Sequence, residues 1–225
     1  MLSNKAKSLQ PLGGHSMLQR IYTTVKDISS ETTFVVGYEK DAIIAETESF
    51  DGTIHIAEQK KAIGTSDAVK SALPSITKPC NVLVLYGDVP LIKQDTLEKL
   101  ITETKDGLTI LSTIIDSPHG YGRVKKDNEG YAQAIVEEKD ASDSEKQIKE
   151  VFTGILCCKK ELLKEAINEV GNDNAAGEYY LTDIVSIISL KGYKIKTCVV
   201  SNDEVKGANT KTELSELEEI YRKMN

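Results

Sequence analysis

The sequence predicts an α/β protein built on a Rossmann-like, mostly parallel sheet with helices on both faces. Two observations carry that expectation. Apolar runs of strand length alternate with helix-period segments along the whole chain, the signature of β-α-β units. Residues 81–91, NVLVLYGDVPL, form an apolar run without alternation, as expected of a parallel strand covered on both faces. At 225 residues with 40% hydrophobic content, the length predicts one domain, 1–225, with a sizeable core.

The strands are expected near 33–36 (TFVV), 53–56 (TIHI), 82–86 (VLVLY), 108–115 (LTILSTII), 132–136 (AQAIV), 152–157 (FTGILC) and 194–200 (KIKTCVV), each rich in β-branched or aromatic residues. Helices are expected between most of them, over 16–28, 65–73, 94–102, 159–170, 182–190 and 210–223. Capping residues mark several starts: Thr65 and Ser66, Asp95 and Thr96, and Thr182 with Asp183 in the first turn. The charged, serine-rich stretch 137–149 reads as an exposed loop or short surface helix. The first fifteen residues contain no strand-like run, and Gly13-Gly14 after Pro11 is a plain turn signal.

Charge and composition exclude several functions. The net charge is -7 with no dense Lys/Arg run, which argues against nucleic-acid or anionic-membrane binding. No run approaches the ~18 apolar residues of a membrane span, and the polar N-terminus does not resemble a signal peptide, so a cytoplasmic protein is expected. Cys80, Cys157, Cys158 and Cys198 lack metal-site spacing and read as reduced core residues.

Chemistry is expected first at Asp88. Ligands of open α/β sheets collect where strands end, and the 81–91 run stops at Gly87 and then presents a carboxylate. Gly87 permits close backbone approach and Pro90 ends the strand. Taken alone, Asp88 could equally cap the next helix. Gln59 and Gly64-Thr65 put an amide near a glycine turn whose threonine opens a helix, a geometry suited to a base edge and a phosphate. Gly120-Tyr121-Gly122-Arg123 offers exposed backbone before a strand, and Glu137 sits in the charged end of another. The segment 177–183, GEYYLTD, sets two aromatics beside Thr182. Asn209 would by default be the N-cap of the terminal helix.

In this order the segments closely resemble the bacterial N-acetylglucosamine-1-phosphate uridylyltransferases. The most specific are LYGDVPL at 85–91, GYGR at 120–123, IVEEKDA at 135–141 and NAAGEYYLTDIV at 174–185. The resemblance implies transfer of UMP from UTP to N-acetylglucosamine 1-phosphate, giving pyrophosphate and UDP-N-acetylglucosamine, a peptidoglycan precursor. It implies that Asp88 and Asn209 hold Mg²⁺, that Lys7 contacts the nucleotide phosphates and forms the catalytic pair with Asp88, and that Gln59, Gly64 and Thr65 hold the uridine. Tyr86 and Gly87 would border the nucleotide; Gly122, Glu137 and Thr182 would hold the amino sugar. Mg²⁺ usually takes one or two protein ligands and completes its shell with phosphate and water, which suits one carboxylate and one amide.

Three departures qualify the resemblance. The family opens with a strand and a loop of the type LAAGxGTRM; here Met1 stands at the M and Lys7 at the family's lysine, so the first strand and the glycine-rich loop are missing. Losing even one preorganised donor typically costs ~10²–10³ in rate, so the chain as written is expected to turn over weakly or not at all, with Lys5, Lys7 and Gly13-Gly14 as the only nearby substitutes. The missing strand is also expected to leave two unpaired strand edges. Phe152 replaces an asparagine that contacts the sugar, which keeps open a related sugar-1-phosphate nucleotidyltransferase or a non-catalytic sugar-nucleotide-binding descendant. The chain ends without the β-helix that carries acetyl transfer and builds the family's trimer, so no acetyl transfer is expected and the oligomeric state is open. A glycosyltransferase is disfavoured because Val89 and Pro90 follow Asp88 where a DxD site needs a second carboxylate.

Overall fold

The structure, a computed structural model, describes residues 6–37, 39–105 and 107–224. Met1 and Lys5 lie outside them. A small antiparallel hairpin, β1 (Pro11–Leu12) and β2 (His15–Ser16), opens the fold. Gly13-Gly14 is its turn, both residues at positive φ, so the expected turn forms, flanked by two short strands that the sequence pattern does not announce. Helix α1 (Met17–Val25) follows, capped by Ser16, whose side chain accepts from the Gln19 amide at 3.0 Å.

Next come β3 (Thr32–Val36), α2 (Lys40–Thr47) and β4 (Ile54–Glu58), with β3 and β4 paired in parallel as a separate two-stranded sheet. Helix α3 (Thr65–Ala72) leads to β5 (Asn81–Val84), then α4 (Gln94–Glu103) and β6 (Leu108–Ile114). The remaining elements are β7 (Arg123–Lys126), β8 (Ala132–Val136), β9 (Glu150–Lys159), α5 (Lys160–Glu169), α6 (Asp183–Leu190), β10 (Lys196–Val200), α7 (Asn202–Val205) and α8 (Lys211–Met224). The second sheet orders its strands β10-β6-β9-β7-β8, with β5 pairing β9 off that path. Its core is mixed: β10 runs parallel to β6, while β9 is antiparallel to β5, β6 and β7.

The ten-residue β9 is the centre of the molecule, buried from Val151 to Cys158. One cluster packs Leu156, Cys158, Leu163, Leu181 and Ile184 on one face of the sheet. Another packs Leu83, Leu97, Ile155, Cys157 and α1's Val25 on the other. Alternation along β9 sends successive side chains to opposite layers, which yields helices on both faces.

Three sequence expectations change. Within the run at 81–91 only β5 is strand; it pairs antiparallel with β9, with Asn81 exposed and the other three residues partly buried. Among the described residues, no strand pairs its other edge, which faces β3. Cys80 is exposed, whereas Cys157, Cys158 and Cys198 are buried free thiols. Helix α2 is an element the period does not reveal, because its apolar residues, Ala42, Ile43, Ile44 and Ala45, are consecutive and mark no face.

Candidate active site

The site lies where β5 ends. Tyr86, Gly87 and Asp88 follow β5 after Leu85, and three loops meet them. Gly154, at φ +85° on β9, makes room for the phenol: a Cβ there would stand 2.4 Å from Tyr86 Cε2. Gly207 lies against Asp88, its own Cβ position 3.1 Å from the Asp88 carbonyl oxygen. Gly87 faces Ser8 from the first described segment; a Cβ at Gly87 would stand 3.4 Å from the serine Cβ.

Lys7 and Asn209 join Asp88 on this side. Lys7 Nζ donates to Asn209 Oδ1 at 2.5 Å across 202 residues. Burial pushes the Asp88 carboxyl above the ordinary aspartate range, and the Lys7 charge opposes that shift. Asn209 is free for this role because it is not the N-cap, contrary to its default reading. Thr210 caps α8 instead: its Oγ1 accepts from Glu213 N at 3.2 Å, and Glu213 Oε2 accepts from Thr210 N at 2.8 Å and Asn209 N at 2.6 Å. That reciprocal arrangement is a capping box read directly in Thr210-Lys211-Thr212-Glu213.

A second group closes the opposite side. Gln59 Nε2 donates to Gly64 O at 2.9 Å and to Asp67 Oδ2 at 3.1 Å, which leaves its Oε1 as the available polar atom. Gly64 sits at φ +141°, and a Cβ there would stand 2.2 Å from the Tyr179 carbonyl oxygen. The close approach lets Tyr179 N donate to Ile63 O and Ser66 N to Tyr179 O, both at 2.9 Å. Thr65 is half of a further link: its hydroxyl accepts from Leu181 N at 2.9 Å and bonds the Tyr86 phenol. Helix α3 thus starts at a glycine, with Thr65 engaged across the site and not in capping.

The third group surrounds Glu137. Thr182 Oγ1 donates to Glu137 Oε1 at 2.9 Å. Gly122 lies below it, where a Cβ would stand 2.6 Å from Ile135 Cγ2 and 3.5 Å from Glu137 Oε1. Burial raises the Glu137 carboxyl above the ordinary glutamate range, the Thr182 hydroxyl opposes, and Asp140 adds to the rise. Tyr86 bridges the groups electrically: burial, Glu137 and Asp88 push its phenol up to about 12.

Of the eleven residues expected at a site, Tyr86 lies between three sets formed by the other ten. Phe152 is different: it is 6% exposed and packs with Ile135 and Leu181 in the apolar cluster beneath Gly122. Sequence reasoning missed Asp67, which orients Gln59, and Gly154, which seats Tyr86. Asp67 was visible only as an acid in the first turn of a helix, and Gly154 only as a glycine inside a strand. It also missed Asp183, whose carboxyl is raised by burial and by Glu137 and Asp140. Arg123, 1% exposed, pairs with Glu138 at 2.5 Å and binds the Tyr121 carbonyl, which fixes the Gly120–Gly122 turn from inside.

Among the described residues no cluster of three or more His, Cys, Asp and Glu side chains is placed to hold a metal. The Asn209 amide oxygen nevertheless bonds Lys7 Nζ, whose charge also acts on the Asp88 carboxyl. One carboxylate and one amide oxygen are the donor types that suit a hard ion drawing its other ligands from phosphate and water.

The chain is 39% identical over 226 residues to the bifunctional protein GlmU of Marinobacter nauticus, covering 99% of this chain and 49% of that protein. It is 41% identical over 227 residues to the bifunctional protein GlmU of Francisella philomiragia, again 99% against 49%. The chain spans about half the length of these curated relatives. The crystal structure of the nucleoside-diphosphate-sugar pyrophosphorylase from Vibrio cholerae superposes with a TM-score of 0.74 at 15% identity, covering 96% of this chain and 93% of that one. The model of the MobA-like NTP transferase domain matches residues 2–121. The chain belongs to the MobA-like NTP transferase family.

Proposed function

We propose that this chain is a sugar-1-phosphate nucleotidyltransferase that transfers UMP from UTP to N-acetylglucosamine 1-phosphate. The observation that carries this reading is the Lys7–Asn209 bond beside Asp88, which gathers a cation and two oxygen donors from three distant segments at one strand end. The relatives support the substrate pair.

In the reaction a sugar phosphate oxygen attacks the α-phosphorus of UTP in line, and pyrophosphate leaves. Positioning and charge neutralisation dominate such a step. Asp88 and Asn209 would hold Mg²⁺, which when bound neutralises charge on the reacting phosphates. Lys7 supplies a point charge to the same phosphates. Gln59 Oε1 is an acceptor suited to the imide N–H of uracil, and Gly64, lacking a Cβ, lets a base approach the backbone. Glu137, ordered by Thr182, accepts from sugar hydroxyls, with Gly122 giving close access.

Phe152 favours one variation, a related sugar 1-phosphate as acceptor. Its ring is buried in the core and offers an acetamido group no polar partner.

The test is pyrophosphate release from UTP, Mg²⁺ and N-acetylglucosamine 1-phosphate, run on residues 1–225 and on the same chain with an LAAGxGTR-type segment joined ahead of Met1. Release near background is expected for the first and clear turnover for the second, abolished by Asp88→Ala. Calorimetry of UDP-N-acetylglucosamine on residues 1–225 should show weak binding. An extended chain that neither turns over nor binds any sugar nucleotide would overturn the reading.

A further inference from the structure

Gln59 follows β4 directly and Asp67 stands in the first turn of α3, and their side chains meet beside the Gly64 turn. Gln59 Nε2 gives its protons to two partners, Gly64 O at 2.9 Å and Asp67 Oδ2 at 3.1 Å. A backbone carbonyl and a carboxylate only accept, so neither can bond the Oε1 end of the amide. Turning the amide over would set Oε1 against both oxygens and forfeit two bonds, the stronger one to a carboxylate. Both bonds are partly buried, where water compensates such a loss poorly.

Asp67 acts at one remove from the site. Gln59 lines the large cavity together with Lys7, Thr65, Tyr86 and Asp88, whereas Asp67 lines a second one, of about 370 Å³, with Glu58, Lys60 and Ser71. Whatever Asp67 does for a molecule held beside Gln59 therefore passes through the glutamine. An acid in a first helical turn ordinarily serves the helix dipole. Here its Oδ2 is committed to a side chain outside the helix.

A glutamine beside a base is ordinarily undecided. Turned one way about its last torsion it accepts, and turned the other way it donates, with almost no change of shape. The two common pyrimidines are opposites at the middle of their pairing edge: uracil N3 carries a proton, and cytosine N3 is a bare acceptor. A free amide would serve both bases. An amide fixed with its oxygen outward serves uracil.

We infer that Asp67 is a positioning residue that makes the nucleotide subsite select uracil over cytosine, by holding Gln59 with its acceptor toward the base. The inference rests on the nucleotidyltransferase reading, with Gln59 as the residue that meets the base. A cytosine seated in the same place sets its N3 lone pair against Gln59 Oε1. It then goes without that bond, or turns the amide against Asp67 and Gly64, and both outcomes cost affinity.

The test titrates UDP-N-acetylglucosamine, and the same sugar diphosphate carried on cytidine, into the intact 225-residue chain and follows amide shifts by NMR, which reads weak binding. The uridine ligand should bind about tenfold tighter or more. Asp67→Asn keeps the shape of the side chain and offers an amide that pairs with Gln59 in either orientation. It should bring the ratio toward one, chiefly because the cytidine ligand binds ~2–10-fold tighter. A residue that merely holds the loop would weaken both ligands together. Gln59→Leu removes the reader, and should weaken the uridine ligand and leave the two nearly equal. An unchanged ratio in Asp67→Asn, an equal loss of both ligands, or a parent chain that binds both alike would overturn the inference and leave the nucleotidyltransferase reading standing. Binding of neither ligand, by this chain or by its extended form, would overturn that reading and the inference with it.

Discussion

Gly64→Ala tests whether the turn before α3 is dictated by its close approach to the Tyr179 backbone. The φ of +141° is open to glycine and strained for alanine, at ~1–3 kcal/mol. The added methyl would stand 2.2 Å from Tyr179 O, 2.6 Å from its N and 2.7 Å from its C, all backbone atoms. Tyr179 cannot simply retreat, because its N–H is held by Ile63 O and its carbonyl by Ser66 N, both at 2.9 Å. Breaking those two bonds costs a further ~0.5–1.5 kcal/mol each. The total, roughly 2–6 kcal/mol, is a large part of the ~5–15 kcal/mol that holds a domain together. Urea unfolding followed by far-ultraviolet circular dichroism measures it, and Gly171→Ala, at a glycine with open space around its Cβ position, is the control. A Gly64→Ala midpoint equal to that of the control would refute the reasoning. It would mean the turn moves freely and that the Thr65–Leu181 link does not depend on it.

Asp88→Asn should stabilise the folded chain at neutral pH. The folded carboxyl is raised above its unfolded value by burial, so the folded state binds more protons, and stability falls as pH rises from the ordinary aspartate value through the raised one. Denaturation across that window should show the fall in the parent and not in the variant; a parallel loss in both removes Asp88 as its source. Thr210→Ala removes the α8 cap and should cost ~1 kcal/mol in chemical denaturation, with Thr210→Ser restoring most of it. An unchanged midpoint would show that Glu213 alone holds the helix start. Thr182→Val takes away the hydroxyl that opposes the rise of Glu137. The carboxyl should then titrate still higher by NMR, and UDP-N-acetylglucosamine should bind less tightly; no movement in either would place Glu137 outside the sugar subsite. Phe152→Asn in the extended chain should shift the ratio of kcat/KM for N-acetylglucosamine 1-phosphate over glucose 1-phosphate by about tenfold at most. A constant ratio would mean that position 152 does not read the acetamido group.

The strand runs and most helices were legible because period and β-branching are local properties. Residues 108–115 and 152–157 became β6 and the heart of β9. Element direction was not legible. Nothing in VLVLY distinguishes a parallel from an antiparallel neighbour, and β5 pairs antiparallel with β9 only because both edges meet across a long connection. Burial was misjudged for the same reason, since an apolar run announces a need for cover without supplying it.

By itself the sequence determined which residue types stand in the loops that build the site: an acid at 88, an amide at 59, a glycine-threonine pair at 64–65, an acid at 137, an amide at 209. It also wrote the capping box that releases Asn209, because Thr210 and Glu213 are three residues apart and a helix start needs nothing more. What only the tertiary structure decided is how those loops meet. The Lys7–Asn209 bond spans 202 residues, Thr65–Leu181 spans 116 and Glu137–Thr182 spans 45. Such pairings depend on sheet order and on which helix covers which face, and those follow from long-range packing that no local period encodes.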